Sequence, residues 1–311
     1  MRFFLSEKNQ FIFLRSKFAE QYLDKLMNRA ECCERTYGFE YEFLPLFPLL
    51  SEDMEKIYQL LSGIGLVRQG YEFLSESNIR ISFEPGGQIE YQSPPITKDD
   101  TRSFESIIEF MDHTNAVIRE KLEIDYIGTG FFPDRRDAPL CNQSSRYVTL
   151  HERLNRTGSR GLEMMKGTAS IHLHVAICRL DHLLPLFYRL CELAGHPGFR
   201  MSSERRDIWN HTDPMRCGMP PCCFERLQSP NQLIERLIDF ALHAEVLGED
   251  VPFWRSKDQS FSAFLYHMTT LFTDVRFNLK GPTLELRTLD SMPTDKFIDK
   301  WQLFISKLET I

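Results

Sequence analysis

Four stretches of this chain alternate apolar and polar residues with a period of two: GFEYEFLP (38–45), ASIHLHVAI (169–177), DVRFNLK (274–280) and TLELRTL (283–289). Successive side chains of a strand point to opposite faces. Phe39, Tyr41 and Phe43 therefore oppose Glu40 and Glu42, while Ile171, Leu173 and Val175 oppose His172 and His174. Likewise Leu284 and Leu286 oppose Glu285 and Arg287, and Arg276, Asn278 and Lys280 share one face of their segment. The full pattern predicts strands near 37–44, 79–84, 88–92, 124–130, 169–177, 273–279 and 283–289. Apolar residues at three- and four-residue spacing predict helices over roughly 17–31, 52–62, 98–121, 180–194, 231–246, 258–271 and 295–308. Strands joined by tight turns stand beside strands separated by long helices. That order predicts an α+β fold, a mainly antiparallel sheet with helices on its outer face, formed by residues 1–311 as one unit. Residues 196–230, rich in Pro, Arg and Cys, are the least regular stretch, and a loop of that length points to function.

The segment ISFEPGGQIEYQSPP (81–95) places acids on both sides of a Pro-Gly-Gly turn. A three-residue loop of Pro85, Gly86 and Gly87 pairs Glu84 with Gln88 and sets Glu90 opposite Ser82. Glu84, Gln88 and Glu90 then share a face, whereas a two-residue loop would split them. The three-residue loop is expected, because glycine at its last position suits left-handed backbone.

Length and composition narrow the setting. At 311 residues and 42% hydrophobic content the chain can bury a large core. A net charge of −7 with scattered basic residues offers no stripe for nucleic acid, so none is expected as a partner. No apolar run approaches the ~18 residues of a membrane span, and the expected setting is cytoplasmic, without a membrane partner. Eight cysteines without a C-x-x-C spacing predict reduced thiols rather than a zinc knuckle or a disulfide ladder.

One E-x-E or H-x-H on its own reads as the solvated side of a sheet. Five segments together present Glu40, Glu42, Glu84, Glu90, His172, His174 and Glu285, with arginines at one end. Two carboxylates 4 Å apart repel by roughly 4 kcal/mol at an effective dielectric near 20, so such a cluster needs cations. Oxygen ligands with one or two imidazoles suit Mg²⁺ or Mn²⁺. Arg276, Lys280 and Arg287 would then meet the oxygens of a polyphosphate bridged by those metals.

The same residues carry a family resemblance. GFEYEF, FEPGGQIEYQSPP, GLEMMKGTASIHLHV, RRDIWNHTDPMRCGMPPCCFE and DVRFNLKGPTLELRTLD occur in the order and rough spacing of the glutamate-cysteine ligases of the plant and proteobacterial type. The resemblance spans about residues 37–305. It implies a glutamine-synthetase-like catalytic domain whose curved antiparallel sheet binds ATP and Mg²⁺. It also implies a carboxylate-amine ligase in which ATP phosphorylates the γ-carboxylate of glutamate and an amine, usually cysteine, captures the acyl phosphate. By that resemblance Glu40, Glu42, Glu84, Glu90 and Glu285 match metal-binding acids, and His172 stands at a strand site that binds metal in glutamine synthetase. Arg276 and Arg287 match arginines near the phosphates, with Lys280 and Gln88 beside them on the nucleotide side. Arg146 and Tyr147 match a pair near substrate, and Arg205, Trp209, Asp213 and Arg216 fall in the substrate loop, where Arg205 or Arg216 could clamp an α-carboxylate. The plant-type enzymes carry amides where this chain has His172 and His174, and they are longer.

Two further readings come from other classes. An oxygenase or hydrolase would hold one metal with His172, His174 and a glutamate, which leaves the other acids and the arginines without a role. A non-catalytic member of the fold would tolerate loss of ligands, yet all five acids are present. No Walker-type or dinucleotide glycine motif occurs, so a nucleotide would be held by metal and arginine. The expected partners are small molecules, an amino acid carboxylate and an amine. Cys222 and Cys223 read first as packed thiols.

Overall fold

A computed structural model describes residues 7–27, 34–278 and 282–311. Lys280 lies outside the described residues. In chain order the elements are α1 (Glu7–Met27), β1 (Thr36–Pro45), α2 (Ser51–Gly63), β2 (Val67–Gln69), β3 (Glu72–Leu74), β4 (Arg80–Phe83), β5 (Ile89–Gln92), β6 (Ile96–Thr97), α3 (Thr101–Leu122) and β7 (Tyr126–Ile127). They continue with α4 (Ser145–Thr157), α5 (Gly161–Gly167), β8 (Ser170–Ala176), α6 (Leu180–Gly195), α7 (Ser203–Asn210), β9 (Cys217–Gly218), α8 (Pro230–His243), α9 (Phe261–Met268), β10 (Phe272–Thr273), β11 (Val275–Asn278), β12 (Thr283–Asp290) and α10 (Thr294–Leu308).

The main sheet runs β11-β12-β8-β1-β5-β4-β3-β2, every pair antiparallel, with the short β6 and β7 also paired to β1. Its apolar face is rich in aromatic side chains. Phe39 meets Phe104 of α3 and Phe297 and Trp301 of α10, Tyr58 of α2 meets Phe73 and Phe83, and Tyr22 of α1 meets Phe277. Each such fully buried ring contributes about 1.5–3 kcal/mol through the apolar area it removes from water. Because this face is satisfied by helices, the polar face of the same strands is free to serve as a site.

The polar face is not bare. Leu150 and Leu154 of α4, Leu162, Met164 and Met165 of α5, and Ile208 and Trp209 of α7 form a second, smaller core together with Met201. Leu150, Met164, Met165 and Trp209 also line a cavity whose other wall is the sheet's polar face. Helices thus stand on both sides of the sheet, not on the outer face alone. The pattern predicts neither α4, α5 nor α7, since each is short or dominated by polar residues. The expected irregular stretch 196–230 contains α7, a short 3-10 turn over Pro221–Phe224 and β9. The strand expected over 124–130 is reduced to β7.

The hairpin has the expected register. Ser82 is opposite Glu90 and Phe83 opposite Ile89. The Glu84 N–H donates to the Gln88 carbonyl at 2.9 Å, closing a loop of Pro85, Gly86 and Gly87. Gly87 has φ +82°, the left-handed geometry that makes glycine necessary there. Gly86 lies against the next layer: a Cβ would sit 2.4 Å from the Lys166 carbonyl oxygen. Five cysteines, at 141, 191, 217, 222 and 223, are free thiols as expected, but Cys178 is disulfide-bonded. Among the described residues no helix is long and apolar enough to cross a membrane.

Candidate functional site

Strand register brings the sequence's scattered acids together. Glu40 is cross-strand from both His172 and Gln92, Glu42 from Glu90, Glu90 from Ser82, and Glu285 from both His174 and Arg276. Glu40 and Glu285 lie on strands separated by β8 alone, about two strand spacings or ~10 Å. Glu40, Glu42, Glu84, Glu90, His172, Arg276, Glu285 and Arg287 all line one cavity of about 470 Å³, as do Gln88, Arg146, Tyr147 and Trp209. That volume is ordinary for a small-molecule site, whereas the density of acids in it is not.

Each carboxylate has its own partners. Glu40 Oε2 lies 2.8 Å from His172 Nδ1, and His172 Nε2 lies 2.7 Å from Ser170 Oγ. The Ser170 backbone N–H donates to Glu42 Oε2 at 2.7 Å. Glu90 Oε1 accepts from Ser82 Oγ at 2.9 Å and from Gln92 Nε2 at 2.6 Å. The Tyr147 hydroxyl donates to the Glu84 carboxylate at 2.9 Å. Glu285 Oε2 accepts from Arg287 Nη1 at 2.8 Å and pairs with Arg276 Nη2 at 2.9 Å.

These surroundings divide the acids into two groups. Burial alone would raise both Glu40 and Glu285, but it is outweighed. Glu40 is held well below the usual carboxylate range by the His172 bond, His174 and Arg287, and Glu285 is lowered by Arg276, His174 and Arg287. Glu42 is pushed up to about 7 by burial and then by Glu84. Glu84 is raised by burial against the pull of Arg146 and Tyr147. Glu90 is raised well above its ordinary value by burial and by Glu40, Glu84 and Glu42. His172 is lowered to about 4 by burial and Arg287, so at neutral pH it is an uncharged imidazole with a lone pair. Acids raised first by burial and then by one another's field mark a buried face short of positive charge.

The donor set fits a divalent cation. Glu40, Glu90 and His172 each offer a ligand atom, all within 4.8 Å of one another. His174 Nε2 is buried without a hydrogen-bond partner and lies 3.8 Å from Glu40 Oε1. Leaving such an atom unpaired costs about 1–3 kcal/mol, which a bound ion would offset.

Several expected roles change. Arg205 and Arg216 are fully buried and do not line the cavity. Arg205 donates to the carbonyls of Leu289 and Arg287 at 3.0 and 2.9 Å and to Asp290 Oδ1 at 2.8 Å. Arg216 donates to Asp213 Oδ2 at 3.1 Å and to Thr270 Oγ1 at 2.6 Å, and Arg153 shares that same aspartate oxygen at 3.0 Å. Every nitrogen of the Arg216 guanidinium is spent on protein, and Arg205 keeps only a buried, unpartnered Nε away from the cavity, so neither is placed to clamp a substrate there. Asp213 is buried in the same network. The Gln88 side chain, expected beside a nucleotide, is spent on the hairpin: Oε1 accepts from Gly86 N–H at 2.8 Å and Nε2 donates to the Thr168 carbonyl at 3.0 Å. Arg146 does face the cavity, with Nη2 donating to the Thr269 carbonyl at 2.9 Å and Nε buried without a partner.

The cavity also has walls to which the sequence reading assigned no role. Ser82, Gln92, Ser170 and Asn278 continue the period-two pattern of the acids, and that alternation alone could have found them. Leu150, Tyr266, Thr269 and Phe272 come from elements packed over the sheet and carry no such signal.

With this face in view, the comparison with known proteins is decisive for the family. The family model for glutamate-cysteine ligase family 2 matches residues 36–309. The chain belongs to that family. Chloroplastic glutamate-cysteine ligases of Medicago truncatula and Nicotiana tabacum are similar, at 25% identity over 300 and 27% over 308 aligned positions, covering 83% and 82% of this chain. The same alignments cover 56% and 55% of those proteins, so the family 2 chain described here spans about half the length of the relatives it matches. A crystal structure of glutamate-cysteine ligase from Francisella tularensis in complex with AMP is also similar, at TM-score 0.48 and 11% identity over 90% of this chain and 68% of that one.

Proposed function

We propose that this protein is an ATP- and Mg²⁺-dependent carboxylate-amine ligase. It would join the γ-carboxylate of glutamate to the amino group of cysteine, as the names of its relatives suggest, or to a closely related amine. The observation that carries this reading is one cavity in which six carboxylates of the sheet and its hairpin loop, at 40, 42, 72, 84, 90 and 285, face three arginines, at 146, 276 and 287. A hydrolase or oxygenase centred on His172 and His174 would leave most of those groups without a task.

Glu40, Glu90 and His172 would hold a divalent cation, with Glu42 and Glu84 alongside. Bound there, divalent cations supply charge neutralisation and polarise phosphate oxygens. Arg276 and Arg287 are oriented by their shared carboxylate Glu285, and the N–H groups not spent on Glu285, the Leu271 carbonyl or His172 would meet a transferring phosphoryl group. Arg146 is the described cavity cation without a carboxylate partner within ion-pair distance, which suits it to the carboxylate of an amino acid.

In the reaction a γ-carboxylate oxygen attacks the terminal phosphorus and ADP departs. The amine then attacks the acyl carbon, phosphate leaves with the former carboxylate oxygen, and the proton lost by the amine ends on that phosphate. Both steps depend on positioning and charge neutralisation rather than on a protein nucleophile. Leu150, Met164, Met165, Trp209 and Phe272 form a wall that keeps water from the acyl phosphate.

The test is ADP release with glutamate across a panel of amines, with mass spectrometry of the product. A γ-glutamyl amide from cysteine supports the reading. Amide formation only with another acid or amine rejects the named substrates, and no amide with any pair rejects the ligase.

A further inference from the structure

Glu40 stands between two imidazoles. Its Oε2 lies 2.8 Å from His172 Nδ1, and its Oε1 lies 3.8 Å from His174 Nε2. Both histidines come from β8, two residues apart, so the pleat turns both rings onto the carboxylate-bearing face. His174 is 8% exposed, and its Nε2 has no hydrogen-bond partner. The other ring nitrogen lies 3.3 Å from Asn278 Nδ2, which orients the ring and leaves Nε2 directed toward Glu40. An imidazole is an uncommon choice for a site meant only for Mg²⁺, which binds oxygen and keeps much of its water. First-row transition dications accept nitrogen readily.

We infer that Glu40, Glu90 and His172, with His174 beside them, form a mixed nitrogen and oxygen site that selects a first-row transition dication over Mg²⁺. The inference rests on the metal-dependent reading given above and replaces Mg²⁺ by another dication at this one site. His172 completes a set with Glu40 and Glu90 whose donor atoms lie within 4.8 Å of one another. His174 stands behind the second oxygen of Glu40 as a further nitrogen donor. At 3.8 Å from Glu40 Oε1 it stands beside that set rather than within it, where its buried lone nitrogen adds to the nitrogen character of the site's surroundings. Mn²⁺ is the stringent probe: of the first-row dications it gains least from nitrogen ligands, so a site that favours Mn²⁺ over Mg²⁺ favours the later ions more strongly.

The experiment uses the full chain, stripped with chelator and without nucleotide. Mn²⁺ binding is followed by electron paramagnetic resonance, Mg²⁺ is titrated as competitor, and pulsed spectra are examined for ¹⁴N coupling. The expected result is Mn²⁺ binding at least tenfold tighter than Mg²⁺ with ¹⁴N coupling in the wild type. In His172→Asn/His174→Asn the coupling should vanish, and Mn²⁺ affinity should fall about tenfold with Mg²⁺ affinity changed less than twofold. Absence of ¹⁴N coupling in the wild type, or equal affinities for the two ions, overturns the inference. Should the double variant fail to fold, the wild-type spectrum decides alone. A protein that forms the amide without Mn²⁺–nitrogen coupling keeps the ligase reading and loses only this inference. Coupling in a protein that forms no amide does the reverse.

Discussion

Replacing Arg205 by Met separates a structural arginine from a substrate clamp. Arg205 has no exposed surface, and its guanidinium lies 5.2 Å from the Trp209 ring centroid. The substitution removes a charge-assisted bond to Asp290 and the donors to the Leu289 and Arg287 carbonyls. Two buried carbonyls left without their donor at about 1–3 kcal/mol each, together with the partly exposed Asp290 losing its cation, cost about 3–5 kcal/mol in all. At about 2–3 °C per kcal/mol for a chain of this size, the melting temperature should fall by roughly 10 °C. The lost bond to the Arg287 carbonyl also frees the backbone that aims Arg287 into the cavity, so kcat should fall along with stability. Thermal unfolding by circular dichroism, combined with glutamate saturation kinetics, reads both effects. An unchanged melting temperature with a selective rise in the glutamate KM would refute this reasoning and restore Arg205 as a clamp.

Gly87→Ala should cost about 1–2 kcal/mol in denaturant unfolding, because φ is +82° and the new Cβ would meet Leu49 Cδ1 at 3.0 Å; no loss would contradict the loop geometry. Glu90→Gln and Glu285→Gln should both abolish turnover yet move stability in opposite directions. The first relieves a carboxylate raised by its neighbours, whereas the second strands Arg276 and Arg287 and should cost about 3 kcal/mol or more, as thermal melts in chelator would show. Glu42 is raised from 4.5 to about 7 in the folded protein, so the stability linked to its protonated form is complete below about pH 4.5 and lost as pH rises through 7. Glu42→Gln should therefore gain stability over wild type progressively between pH 4.5 and 7 in chelator, and a difference flat in pH would refute that assignment.

The sheet was legible because one face of each strand had to be buried. Phe39, Tyr41 and Phe43 determine which way Glu40 and Glu42 point, and Gly87 determines the loop length that puts Glu84 and Glu90 on the same face. The short strand β2 was not legible, because all three of its residues are exposed and carry no alternation in burial. Helices α4, α5 and α7 cover the polar face with few apolar residues each, and their partners are set by tertiary contact rather than by local period. Arg205 and Arg216 illustrate a different limit. A motif can say that arginines belong in a loop, but whether a guanidinium meets substrate or a backbone carbonyl depends on packing from elements about 50 to 85 residues away in sequence.

The central claim is that this carboxylate-lined face activates a carboxylic acid through an acyl phosphate. Glutamate labelled with ¹⁸O in its γ-carboxylate, incubated with the protein, ATP, Mg²⁺ or Mn²⁺ and cysteine, tests it most directly, with mass spectrometry of the released phosphate. The account predicts one ¹⁸O transferred to phosphate for each amide formed. Unlabelled phosphate accompanying amide formation, or ATP hydrolysis at the same rate without glutamate, would contradict it.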